Sequence, residues 1–127
     1  MTNLTTNQTK KLSTNSKEVK EAIKKHIIEC VYNYEEKEFN TFEESAKHLY
    51  EEFKRCTEGD GYLRNKSEQE KFSYWLTGLP FHFHYSNFDI ENFLNSLGIN
   101  PEGKIYEFEK MQHLYHYLIF REMKKAI

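Results

Sequence analysis

Residues 41–53 read TFEESAKHLYEEF, and this stretch carries the two signals from which the fold is inferred. Thr41 followed three residues later by Glu44 is a capping box, in which each side chain bonds the other residue's backbone N–H at a helix start. Apolar residues then recur at three- and four-residue steps, which places them on one face of an α-helix. The stretch therefore predicts an amphipathic helix that stops before the turn-forming residues 58–61. Its apolar face comprises Phe42, Ala46, Leu49, Tyr50 and Phe53.

Helix starts of the same kind occur on both sides of this stretch. Toward the N-terminus, a helix is expected to begin near Asn15 or Ser16, because Asn15 and Glu18 have the spacing of a capping pair. Toward the C-terminus, Ser67 and Glu70 form a second capping box, which predicts the start of a third helix.

Glycine and proline set the remaining helix boundaries. Gly78 is expected to close the third helix in the left-handed conformation, and Pro80 forbids its continuation. A fourth helix is predicted over residues 86–98, ending at a glycine. A fifth is predicted over about 100–125, because it opens with an Asn-Pro pair that suits a helix start.

The composition determines how the core is built. The chain has 127 residues, enough for one domain, and only 38% of them are hydrophobic while 16% are aromatic. Large rings must therefore fill much of the core. We expect an all-α fold, a compact bundle of about five helices with an aromatic-rich core. The single helical domain would cover residues 16–127. Residues 1–15 are rich in Thr, Asn and Lys, which predicts a disordered tail.

Negative charge is concentrated in the N-terminal half. Residues 29–60 carry ten acids and four bases, a formal charge of −6, although the whole chain has only −2. Such a surface repels a phosphate backbone and attracts a basic protein surface, and aromatic side chains favour interface cores. The simpler alternative is a solvated acidic face. The predicted protein-binding face comprises Tyr32, Tyr34, Glu35, Glu36, Glu43, Glu44, Tyr50, Glu51 and Glu52.

Histidines raise the question of a metal site. His82 and His84 alternate with aromatic residues in an extended connector over residues 81–85, and His113 and His116 share one face of the last helix. Four imidazoles could hold zinc if the connector packed over that helix. Histidines that bond to backbone or water explain the pattern more simply. We therefore predict no metal and no cofactor, with a histidine-ligated metal-binding domain as an alternative.

Catalytic patterns are weak in this chain. Cys30 lies on the apolar face of the first helix, four residues after His26, as a small buried hydrophobe would. Cys56 lies at a helix end, where the helix dipole disfavours a thiolate. The glycines of residues 59–61 lack the Lys-Ser/Thr that follows in a phosphate-binding loop. The sequence therefore predicts a protein that is not an enzyme.

A nucleic-acid-associated regulator is the other alternative. Its positively charged side chains would come from the N-terminal tail and from Arg121, Lys124 and Lys125. The fourth helix has no Lys or Arg for a recognition helix to use, so nucleic acid is an unlikely partner. No apolar run is long enough for a membrane span, and the N-terminus has no apolar signal core, so we expect a cytoplasmic protein of unspecified oligomeric state.

Residues 70–80 read EKFSYWLTGLP, and they are followed by Tyr85 and by the run Phe88-Asp89-Ile90. This arrangement resembles a family of small uncharacterised helical proteins from bacteria, phages and mobile elements, which have a Trp-Leu-x-Gly-Leu-Pro segment before an aromatic-Asp-Ile helix start. The resemblance covers residues 68–98. It implies a mobile-element origin and no assigned activity. In that setting the acidic face is expected to meet the basic groove of a host defence nuclease, as an anti-CRISPR-like inhibitor would.

Overall fold

The computed structural model describes residues 14–78, 87–99 and 108–127 of the chain. The described residues form five α-helices and no strand, which confirms the predicted all-α class. No helix in these ranges combines the length and apolar character needed to cross a bilayer. The helices are α1 (Lys17–Glu35), α2 (Phe42–Thr57), α3 (Glu68–Gly78), α4 (Asn87–Ser96) and α5 (Phe108–Lys125), with a short 3₁₀ turn at Gly61–Leu63 between α2 and α3.

Several predictions fall on residues outside these ranges. They are the disordered tail, apart from residues 14 and 15, the extended connector over residues 81–85, the stop at Pro80 and the helix start at residues 100 and 101.

Reciprocal capping bonds begin α2 and α3, as predicted. In α2 the Thr41 hydroxyl accepts from the Glu44 N–H at 3.1 Å, and the Glu44 carboxylate accepts from the Thr41 N–H at 3.2 Å. Ser67 and Glu70 make the same two bonds at the start of α3, at 3.1 and 3.0 Å. Both starts are encoded within four residues, so they need no tertiary partner.

The start of α1 differs from the predicted pairing. Ser16 is the N-cap, and its hydroxyl accepts from the Val19 N–H at 3.2 Å. The capping pair of Asn15 and Glu18 was therefore wrong. The Asn15 side chain instead accepts a hydrogen bond from the Arg121 guanidinium of α5 at 3.1 Å. A long-range contact thus engages the residue that local spacing had assigned to the cap.

The positions with a left-handed backbone conformation also differ in part from the prediction. Gly78 is the last residue of α3 and does not have a positive φ, so its predicted left-handed conformation was wrong. Gly98 does end α4 with φ 69°, and Gly59 follows α2 with φ 81°. Helix α1 ends without a glycine, because Glu36 adopts φ 55° and its N–H bonds the Tyr32 carbonyl at 2.7 Å.

Helix α5 lies at the centre of the bundle. It packs against each of the other four helices, whereas α4 packs mainly against α5 alone. Four of its side chains have no exposed surface, and they form the axis of the core: Tyr115, Leu118, Ile119 and Met123.

Aromatic rings fill the space between α2 and α3, as the composition predicted. The Phe53 ring packs edge-on against Phe72, with 5.2 Å between centroids, and lies 5.7 Å from Trp75. Phe72 in turn contacts Phe120 of α5 at 5.3 Å. Offset and edge-on pairs of this kind add to the gain from burying the rings themselves.

Replacement of Phe53, the ring at the centre of this aromatic cluster, tests how much the packing stabilises the fold. Phe53→Ala should lower the free energy of unfolding by about 3–5 kcal/mol, because it removes a fully buried ring and leaves a cavity. Urea unfolding followed by circular dichroism measures the loss. Phe53→Leu, which keeps most of the volume, should cost much less, and equal losses in the two variants would contradict the cluster.

Candidate functional site

Helix α2 distributes the predicted binding residues over different sides of the bundle. Tyr50 faces α3 and α5, where its hydroxyl donates to Glu68 at 2.6 Å and its ring lies 4.8 Å from the Lys124 ammonium. Lys124 closes the set with a 2.7 Å ion pair to Glu68. The hydrogen bond to Glu68, followed by partial burial, raises the pKa of Tyr50. Tyr50 is thus committed to interhelical contacts.

Glu52 lies on the opposite flank of α2 and meets the end of α1. His48, one turn earlier, has its Nε2 3.0 Å from the Glu35 carboxylate. One ligand atom from each of Glu35, His48 and Glu52 lies within 4.8 Å of the other two. Arg55 also bonds the Glu52 carboxylate, three residues along the same helix. The structure therefore brings two of the predicted acids together around a histidine that the predicted set omitted.

The remaining predicted residues have separate roles. Glu44 is used in the capping box, and Glu36 closes α1. Tyr34 is half-buried, and the pKa of its hydroxyl is raised by burial and then by Cys56 and Glu52. Outward-facing side chains with substantial exposure are Tyr32, Glu36, Glu43 and Glu51.

A groove lies beside this set, between α1 and the segment that joins it to α2. It has a volume of about 300 Å³, and its apolar walls are Ile28, Tyr32 and Phe39. Ile28 is 38% exposed and Tyr32 is 46% exposed, which is high for large apolar side chains. The groove is completed by Glu29, Lys37, Glu38 and Ser45.

Only Tyr32 of the groove was in the predicted set. A signal for Ile28 was present, because it lies outside the apolar stripe of the first helix, to which Ile27 belongs. Ile27 is fully buried, which leaves Ile28 outside. Ile28 and Tyr32 are four residues apart, so they share an outer face of α1.

The histidines of the last helix have different environments. His116 is buried, and its Nδ1 lies 2.7 Å from the Ser73 hydroxyl of α3. Burial, and then His113, lowers the pKa of His116 to about 4. His113 is exposed and lines a cavity of about 510 Å³ together with Ser73. His82 and His84 lie outside the described residues, so the alternative of a four-histidine metal site stays untested.

His26 and Cys30 lie in the core rather than at a reactive surface. The His26 Nε2 is 2.6 Å from the Tyr115 hydroxyl and 3.5 Å from the Cys30 sulfur. Burial lowers the pKa of His26 to about 4 and raises the pKa of Cys30 to about 12. The thiol is therefore protonated at neutral pH, and this group holds α1 to α5 instead of supplying a nucleophile.

The basic side chains near the C-terminus, which the nucleic-acid alternative would use, form ion pairs with carboxylates of the protein itself. Arg121 and Lys125 lie 2.8 and 3.1 Å from the Glu122 carboxylate, which is almost fully buried. Lys124 is paired with Glu68. Each of the three cations is thus partly neutralised before any phosphate could reach it.

The two buried histidines predict a pH-dependent stability. Their folded pKa values, about 4, lie below the unfolded value of 6.5, so the unfolded state binds more protons as the pH falls through that interval. Stability is therefore fully present above about pH 6.5 and decreases toward pH 4. Between pH 7.5 and 5 each imidazole should cost about 2 kcal/mol of unfolding free energy.

Urea unfolding at both pH values measures this loss. His26→Gln should remove about half of the pH dependence, whatever it does to stability at pH 7.5. A wild-type unfolding free energy that does not change between the two pH values would contradict the neutral, buried state of both rings.

Comparison of the chain with protein-family models, with curated proteins and with solved structures finds no match. The resemblance of residues 68–98 therefore stays a hypothesis.

Proposed function

We propose that this protein is a non-catalytic protein-binding module that docks a basic partner surface on the groove between Ile28, Tyr32 and Phe39. One observation carries the proposal: large apolar side chains stay exposed around a groove in the most acidic part of the chain.

The apolar walls supply the anchor. Interfaces derive most of their free energy from a few aromatic or aliphatic side chains that enter a desolvated pocket. The groove, at about 300 Å³, has room for a partner side chain. Ile28 and Tyr32 are exposed to water in the free protein. A partner that covers them would therefore bury apolar surface, which favours binding, without disturbing the core.

The charges around the groove favour a cationic partner. Glu29 and Glu38 line it, and the surrounding residues 29–60 have a formal charge of −6. Lys37 already places its ammonium 5.3 Å from the centroid of the Phe39 ring. An arginine of a partner could occupy the same kind of position over an aromatic face. Complementary charge would also speed association and disfavour acidic competitors.

A more specific form of the proposal is that the partner is a nucleic-acid-processing enzyme, such as a host defence nuclease. An acidic protein surface that occupies a basic groove excludes the phosphate backbone from it, which inhibits without chemistry. The resemblance of residues 68–98 to mobile-element proteins supports this choice, since such elements encounter host nucleases.

Site-specific photocrosslinking tests the docking surface. A benzophenone amino acid at position 32 should capture a protein of high isoelectric point from host lysate at about 50 mM salt, and capture should fall steeply at about 500 mM because the attraction is screened. Position 62 is the matched control, because Tyr62 is 66% exposed but does not line the groove.

Two variants carrying the crosslinker distinguish the contributions. Ile28→Ser should weaken capture by removing the anchor, and the double change Glu29→Lys with Glu38→Lys should reduce it by about tenfold or more through like-charge repulsion. Equal capture from positions 32 and 62, or capture unchanged in both variants, would contradict the proposal. If the captured protein is a nuclease, purified wild-type protein should inhibit its cleavage and the double variant should not.

A further inference from the structure

We propose that Glu35, His48 and Glu52 form a binding site for a first-row transition-metal dication, for which Zn²⁺ is the reference ion, and that the ion links α1 to α2. None of its three residues lines the docking groove, although the Phe39 ring, one wall of that groove, packs on the His48 imidazole.

The backbone places the three side chains for this purpose. His48 and Glu52 are four residues apart on α2, so they project from the same flank. Glu35 is the last residue of α1, and its carboxylate faces them across the helix pair. Ligand atoms from two helices thus converge, and an ion between them would add a link between α1 and α2.

The distances suit an ion after small side-chain rotations. A point among three atoms no more than 4.8 Å apart lies within about 2.8 Å of each, compared with about 2.0–2.2 Å for zinc bonds to nitrogen and oxygen. The pair formed by His48 Nε2 and the Glu35 carboxylate is already at 3.0 Å, a usual separation for two ligands of one ion.

The surroundings of the His48 Nε2 atom also support the site. Its Nε2 is shielded from solvent and makes no hydrogen bond in the structure, in spite of the 3.0 Å approach to Glu35. A shielded ring nitrogen without such a bond is costly unless another group satisfies it. The Phe39 ring packs on the imidazole, with 5.1 Å between the ring centroids.

The ligand chemistry selects the class of ion. One imidazole and two carboxylates suit zinc, cobalt, nickel or copper, whereas calcium and magnesium prefer oxygen ligands alone. A dication also neutralises the two carboxylates, which repel each other when both are ionised in a half-buried site.

Two internal competitors define the conditions of binding. Arg55 bonds one Glu52 oxygen and so competes with an ion for this carboxylate. A protonated His48 would make an ion pair with Glu35 instead. Protonation and metal binding are therefore mutually exclusive at this nitrogen.

Calorimetric titration of tag-free, chelator-treated protein with ZnCl₂ at pH 7.5 is the test. We expect one Zn²⁺ per chain, a Tm that rises with the Zn²⁺ concentration, and visible absorption bands when Co²⁺ replaces Zn²⁺. His48→Ala and Glu52→Gln should each weaken binding by at least about tenfold.

Two matched controls locate the ion. His113→Ala removes an exposed histidine on α5, and Glu58→Gln neutralises an exposed acid just after α2, so both should bind as the wild type does. Absence of saturable Zn²⁺ binding would overturn the site. Binding that is lost in His113→Ala but kept in His48→Ala would overturn it as well, in favour of the histidines of the last helix. Capture of a partner at position 32, measured with and without a chelator, is a separate readout of the docking groove.

Discussion

The hydrogen bond between His26 and Tyr115, at 2.6 Å, is the contact on which the bundle depends. A chain with few aliphatic residues must bury rings, and some of those rings carry polar atoms that have to be satisfied away from water. Tyr115 lies midway along α5, the helix that packs against all four others, so its hydroxyl cannot reach solvent. His26 of α1 forms a hydrogen bond with this hydroxyl, although the two residues are 89 positions apart in the sequence. The bond fixes the register of the first helix against the last.

Local signals predicted the helices well because each was complete within a few residues. The capping boxes at Thr41 and Ser67 were found where expected, and the apolar periodicity identified the buried faces. The errors arose where distant residues intervene. Asn15 was assigned to a cap because nothing in its neighbourhood shows that Arg121 binds it. Gly78 was assigned a left-handed conformation that glycine permits but does not require.

The candidate sites were less predictable, because composition shows how much charge a segment has but not where each side chain points. Tyr50 and Glu52 are two residues apart, yet they face different neighbours, since residues at that spacing do not share a helix face. His48 was overlooked because its significance depends on Glu35, which belongs to another helix. The groove was found only in part, through Tyr32, because its depth depends on the path taken by the segment containing Phe39.

The tie between Arg121 and the beginning of α1 has a practical consequence for the architecture. The guanidinium bonds the Thr14 carbonyl and the Asn15 side chain, and Asn15 lines the same surface cavity as Lys125 and Ala126. The first described residues and the last ones therefore meet at one pole of the molecule. Tyr32 lies about 22 Å along α1 from that pole. A fluorophore attached at the pole would therefore leave the groove beside Tyr32 unobstructed.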